Sequence, residues 1–298
     1  MRKYILPAIL VILTLAACQK VVDADKLLDT EPKVFITGYI SPADTTLRIN
    51  VSRALSSVGT PFSIQDNEAN REKFLIKNAQ VTLSDEQGNN TVLDYSEENN
   101  IYLAPASTLA ILTDSQYFLS VMVDGQEFTA SCLIPKKVAA IEEEIVVKDD
   151  EFGGQSADVN IRFEDLVGQS DYYAVGGIVR VTYQQEGFEP ETFEYSLFFD
   201  GSYLLTDALE DGGTLSARSL NSFGSDSTIE GELTLQVANV EETLFQNLRA
   251  ADTNSDADGN PFVEYSISPD NFNQEGAVGI FAGYQLTEKT LDITEILQ

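Results

Sequence analysis

The sequence predicts a mainly β protein in two parts, residues 33–135 and 136–298, with one short helix in the second part. Three observations carry this. From Lys33 onward, apolar and polar residues alternate in short runs, the period of strands with one buried face. Turn-forming residues divide the runs. Only one stretch, beginning at Asn239, combines a helix start signal with helical apolar spacing.

In chain order, Arg2 and Lys3 form a positive head and Ile5–Leu15 an apolar run, the layout of a secretory signal over residues 1–17. The run is too short for an ordinary membrane-spanning helix, which needs about 20 residues. It ends in Leu15-Ala16-Ala17-Cys18, which resembles the lipobox of bacterial lipoproteins. That resemblance implies that Cys18 is acylated and becomes the N-terminal residue. Each buried methylene contributes about 0.8 kcal/mol, so two or three acyl chains anchor the chain to membrane lipid. No Asp follows the cysteine directly. The Gln19-Lys20 pair with Asp23 and Asp25 beyond it loosely resembles a surface-export signal. The expected location is the outer membrane, on its cell-surface side. Residues 18–32 are polar, end in Glu31-Pro32 and read as anchor and tether.

Residues 33–135 contain KVFITGYI, TLRINVSRAL, AQVTLSDEQG, TVLDYSEENNIYLA, QYFLSVMVDG and QEFTASCLIP. Six or seven strands of this length make a sandwich of immunoglobulin-like or transthyretin-like size. Leu47, Ile49 and Val51 share one parity, as do Tyr117, Leu119, Val121 and Val123. Asp124-Gly125 predicts a tight hairpin turn. Cys132 shares its parity with Phe128, Ala130 and Ile134, which predicts a core residue and not a reactive thiol. The stretch between Leu55 and Lys77 is too long for a tight turn and is a candidate contact loop.

After Pro135 come VNIRFEDL, DYYAVGGIVRVTYQQ, ETFEYSLFFD and IEGELTLQVANV. Asn239 and Glu242 have the spacing of a capping box, with Val240, Leu244, Phe245 and Leu248 as the apolar face. In the closing GAVGIFAGYQLTEKTLDI, Gly276, Gly279 and Gly283 predict a bulge or close backbone approach. Asp252–Gly259 reads as a polar loop that follows only the first half of an EF-hand, since Ala257 stands where Gly is required. No metal ligands are assigned there.

Composition narrows the function. The chain has 18 basic and 48 acidic residues; cleavage before Cys18 leaves 16 basic and a formal balance of −32. Such a surface repels nucleic acid. Histidine is absent, which excludes Ser-His-Asp and Cys-His catalysis and His-ligated metal within this chain. With Cys18 acylated, Cys132 is the one thiol left and no intrachain disulfide can form. Tyr172-Tyr173 and Phe198-Phe199 could line an aromatic ligand site, although aromatics in strands are more often core or cross-strand pairs.

With these pieces in order the mature chain resembles the domain-of-unknown-function 4249 family, lipoproteins of Bacteroidota. The carriers are the lipobox at Cys18, KVFITGYI, NAQVTLSDEQG, YFLSVMVDGQEFTASCLIP, IRFEDLVGQSDYYAV, GNPFVEYS and NQEGAVGIFAGY. Ala277 and Ala282 stand where the family often has Gly. The resemblance implies no catalytic residues and no cofactor. It implies an outer-membrane accessory or binding protein, not an enzyme, partnering a TonB-dependent receptor in nutrient uptake, its ligand unknown. A structural or adhesive cell-surface lipoprotein is the competing expectation.

Overall fold

In a computed structural model the described residues are 32–54, 72–149, 155–184, 187–199, 203–222, 228–257, 268–272 and 274–296. Cys18, the signal segment, most of the 55–77 stretch and GNPFVEYS lie outside them. None of the described helices is long and apolar enough to cross a membrane.

The described residues of the N-terminal part form seven strands: β1 (Lys33–Ile40), β2 (Thr46–Ala54), β3 (Gln80–Asp85), β4 (Asn90–Ser96), β5 (Ile101–Pro105), β6 (Gln116–Val123) and β7 (Gln126–Leu133). They run β1-β2-β5-β4-β3-β6-β7, every pair antiparallel. The expected parities hold. Leu47, Ile49, Val51, Tyr117, Leu119, Val121 and Val123 are all buried, and Cys132 packs with Phe128, Ala130 and Ile134 in the same core. Asp124 and Gly125 both have positive φ, 51° and 87°, as a two-residue type I′ hairpin requires. Tyr102 ties the end of the 55–77 stretch down: its hydroxyl donates to Ile76 O and accepts from Ala79 N.

The second part contributes β8 (Glu142–Asp149), β9 (Gln155–Glu164), β10 (Tyr172–Tyr183), β11 (Glu191–Ser196), β12 (Leu204–Thr206), β13 (Thr214–Ser222), β14 (Thr228–Val240), helix α1 (Glu242–Ala257) and β15 (Ala277–Asp292). A three-stranded sheet, β13-β9-β8, faces β11-β10-β14-β15. Val159, Ile161 and Phe163 meet Val175, Val179, Val181, Leu233, Leu235 and Val237 between them.

The helix departs from expectation at both ends. Asn239 is not a cap: it sits within β14, and its amide donates to Asp171 Oδ1 and Lys136 O. Glu241 takes the start position, its carbonyl accepting from Phe245 N. At the other end α1 continues through the Asp-rich segment to Ala257. Alternate residues of a helix do not share a face, so Asp252 and Asn254 are not set side by side as the first ligands of a calcium loop are; Asp258 and Gly259 lie outside the described residues.

One strand serves both parts and crosses the expected boundary at Pro135. The first half of β15, Ala277 to Gly283, pairs in parallel with β1; the second half, Tyr284 to Asp292, pairs antiparallel with β14. Phe281 enters the N-terminal core, while Ile280 and Ala282 on the other face pack against Leu244 and Phe245 of α1. The N-terminal sheet curls until β7 lies against β15, and three side chains close the seam between them. The Gln274 amide accepts from Thr129 N and donates to Thr129 Oγ1. Asn271 donates to Ser131 O and Phe281 O and accepts from Phe281 N. The Glu241 carboxylate accepts from Leu133 N at 2.6 Å and Gly283 N at 2.8 Å. Burial pushes the Glu241 carboxyl above the usual range, and its two backbone donors offset part of that.

The close approach of neighbouring backbones explains two glycines of β15, Gly283 at this seam and Gly279 against β1. A Cβ on Gly283 would lie 2.3 Å from Leu133 O, and one on Gly279, whose φ is 137°, would lie 1.9 Å from Ile36 O. Gly283→Ala should therefore lower unfolding stability in urea by about 1–3 kcal/mol, the usual cost of overpacking. Gly176→Ala, whose Cβ would meet only Gln236 at 3.4 Å, should stay within about 0.5 kcal/mol. Glu241→Gln leaves one backbone donor facing an amide NH2 and should cost about 1–3 kcal/mol in the same assay.

Candidate functional site

A recess of the second part forms where the edge of β10 changes partner. β12 pairs with Tyr172–Ala174 and β11 with Ile178–Tyr183, which leaves the β10 edge between them, Val175 to Gly177, outside both ladders. It is pinned at two points: Leu197 N donates to Gly177 O, and Val175 N donates to Tyr203 O. A Cβ on Gly177 would lie 2.5 Å from Leu197 Cδ1, so Leu197 would have to shift to admit one. Gly176 leaves the floor bare.

The recess holds about 600 Å3 between Val175–Ile178, Ser196–Phe199, Gln236 and Tyr203. A second, of about 350 Å3, lies beside it, lined by Tyr203, Leu204, Thr206, Phe245, Arg249, Asp252 and Thr253. Tyr203 and Asp252 line both, and the Tyr203 hydroxyl donates to Asp252 Oδ1 at 3.0 Å. That bond between the β12 approach and α1 forms the ridge of a continuous groove.

Its chemistry is mixed. Phe198 is 69% exposed, a flat apolar face open to solvent, and its carbonyl is anchored by Ser219 Oγ. Gln236 is oriented by donating to Glu288. Arg249 supplies an exposed guanidinium in a strongly acidic chain. Aromatic faces with a few polar groups are the usual lining of ligand sites. Such a groove can stack a planar or apolar group and bind a carboxylate at the arginine.

Of the aromatic pairs flagged in the sequence, only Phe198-Phe199 reaches the groove. Tyr173 is fully buried, edge-to-face with Phe163 at 4.9 Å, and Tyr172 packs on Phe245 at 5.2 Å. Cys132 is buried, and desolvation raises its thiol far above the ordinary value, which keeps it inert. Asp252 joins the groove as a hydrogen-bond acceptor from a helix, a role hidden by reading its segment as a loop.

A second acidic group escaped the sequence reading. Asp165, Asp207 and Asp211 each bring a carboxylate oxygen within 4.8 Å of the others. Two of the three carboxylates already brace loops. Asp165 accepts from the Tyr173 hydroxyl at 2.6 Å and Gly212 N at 2.8 Å, and Asp211 accepts from Gly168 N. These bonds hold the β9–β10 and β12–β13 loops together.

A comparison with curated proteins finds no match. The family described as "Domain of unknown function (DUF4249)" matches residues 20–290, which include both sandwiches, the helix and nearly all of the shared strand. On that match, which spans almost its whole length, the chain belongs to the DUF4249 family.

Proposed function

We propose that this chain is a lipid-anchored binding and accessory protein of the outer membrane, held by acylated Cys18 on the cell-surface side. It partners a TonB-dependent receptor in nutrient uptake. The observation that carries the reading is the groove around the Tyr203–Asp252 ridge. It is open, aromatic-lined and braced from both sides, and the chain has no histidine to serve as a base in it. The lipobox resemblance, the long apolar-cored β scaffold and the acidic surface support the same reading. An anchored, soluble-faced binder hands a ligand to a neighbour; the groove takes a small molecule with a flat face for Phe198 and an anionic group for Arg249.

The test is purification of the C-terminally tagged full chain from native membranes in mild detergent. The expected outcome is a stoichiometric barrel receptor that is lost with Cys18→Ala. A retained small molecule, read by mass spectrometry, should fall roughly tenfold with Phe198→Ala, the loss of about 1.4 kcal/mol of contact. Recovery of the lipoprotein alone, still accessible to protease on cells, would favour an adhesive or structural role instead.

A further inference from the structure

Two buried side-chain atoms among the described residues have no hydrogen-bond partner, Asp171 Oδ2 and Asn239 Oδ1. They belong to one pair. Asn239 Nδ2 donates to Asp171 Oδ1 at 2.8 Å, and the residues are 1% and 2% exposed for Asn239 and Asp171. The amide orientation is fixed, because Nδ2 also donates to Lys136 O at 3.1 Å and a flipped amide would set oxygen against oxygen there. Gln169 Nε2 adds a second donor to the same Oδ1 of Asp171 at 3.0 Å. Both donors thus converge on one carboxyl oxygen, and the other oxygen receives none. An ionised carboxylate would distribute its donors or leave a buried lone pair bare.

We infer that Asp171 is held as a neutral carboxylic acid whose Oδ2–H donates to Asn239 Oδ1, closing a cyclic acid–amide pair. One proton then satisfies both orphan atoms. The surroundings favour the neutral form. Burial raises the Asp171 carboxyl most, and the charges of Asp165 and Asp207 raise it further; the amides of Asn239 and Gln169 act the other way. Lys136 offers only its carbonyl, its ammonium lying 3.8 Å from Asp114, and the Tyr173 hydroxyl is committed to Asp165. None of the ion pairs among the described residues includes Asp171.

The pair is a proton-dependent latch. It joins the segment after β7, through Lys136, to the start of β10 and the end of β14, where the two sandwiches meet. With the folded carboxyl raised above its unfolded value of about 3.9, the folded chain holds a proton that the unfolded chain has released. Its contribution is complete below the unfolded value and is lost as pH rises through the folded one. Within that window the folding equilibrium changes up to about tenfold per pH unit.

Asp171→Asn keeps both bonds of the ring, its amide NH2 replacing the acid O–H, and removes the proton. In the detergent-solubilised full chain, denaturant unfolding from pH 4 upward should show the wild type losing stability relative to Asp171→Asn as pH rises. Infrared spectra of wild-type chain labelled with 13C-Asp, which need no variant, should show one isotope-shifted acid carbonyl at neutral pH. Parallel pH profiles, or no acid carbonyl at neutral pH, would overturn the inference.

Discussion

The structure depends on closing the edge of β7. A terminal strand leaves a row of backbone donors and acceptors open, and here no ladder joins β7 to its neighbour β15. The solution is made of side chains. Gln274, Asn271 and Glu241 each engage one residue of β7, Thr129, Ser131 and Leu133 in turn, and the last two also engage β15. The alternation of these three β7 residues matches the period with which a strand presents its backbone groups to one side. The three side chains act as a substitute strand.

That seam determines where everything else can stand. Because Glu241 both closes it and starts α1, the helix is positioned by the N-terminal sandwich although it belongs to the second part. The helix in turn sets Asp252 against Tyr203 and so forms the ridge of the groove. β15 is buried on both faces, by the N-terminal core on one side and α1 on the other, which is why it reads as a nearly continuous apolar run. Neither part keeps a complete core if β15 is withdrawn, so the two sandwiches should behave as one cooperative unit.

Much of the fold was legible because strand parity and burial are local properties. KVFITGYI, TLRINVS and QYFLSVMV declare their inner faces, and each is realised as a strand with those residues buried. What escaped detection was decided by distant contacts. β8, EEEIVVKD, looks like a charged surface segment, yet its Glu144 and Lys148 meet Arg162 and Asp158 of β9. β13, TLSARSLNS, has little apolar bulk and becomes a strand only because β9 pairs with it. Asn239 has the spacing of a cap, but a buried carboxyl and a carbonyl competed for its amide and won. The glycines of the closing motif were visible; the two backbones they admit were not. The groove left a fainter trace, in Gly176-Gly177 within an apolar strand and in the Phe198-Phe199 pair. Its other half was hidden in an acidic stretch that belongs to a helix.

The buried carboxyls of this acidic chain are satisfied in different ways. Of the buried acidic residues described, Asp158 alone pairs with cations. Asp158 receives two, Lys148 and Arg218, whose hydrogen bonds hold its carboxyl below the usual range. Asp165 is satisfied by a tyrosine hydroxyl and a backbone N–H, and Glu241 by two backbone N–H groups. Asp171, with both donors on one oxygen, is left to a proton. Neutral donors fix geometry more tightly than a flexible lysine does, since a backbone N–H has a single direction, and they do not weaken with salt as exposed ion pairs do. The carboxyls without cations therefore stand where rigidity matters, at the loop brace, the seam and the junction of the sandwiches. Among the described residues no ion pair includes Arg249 at the groove.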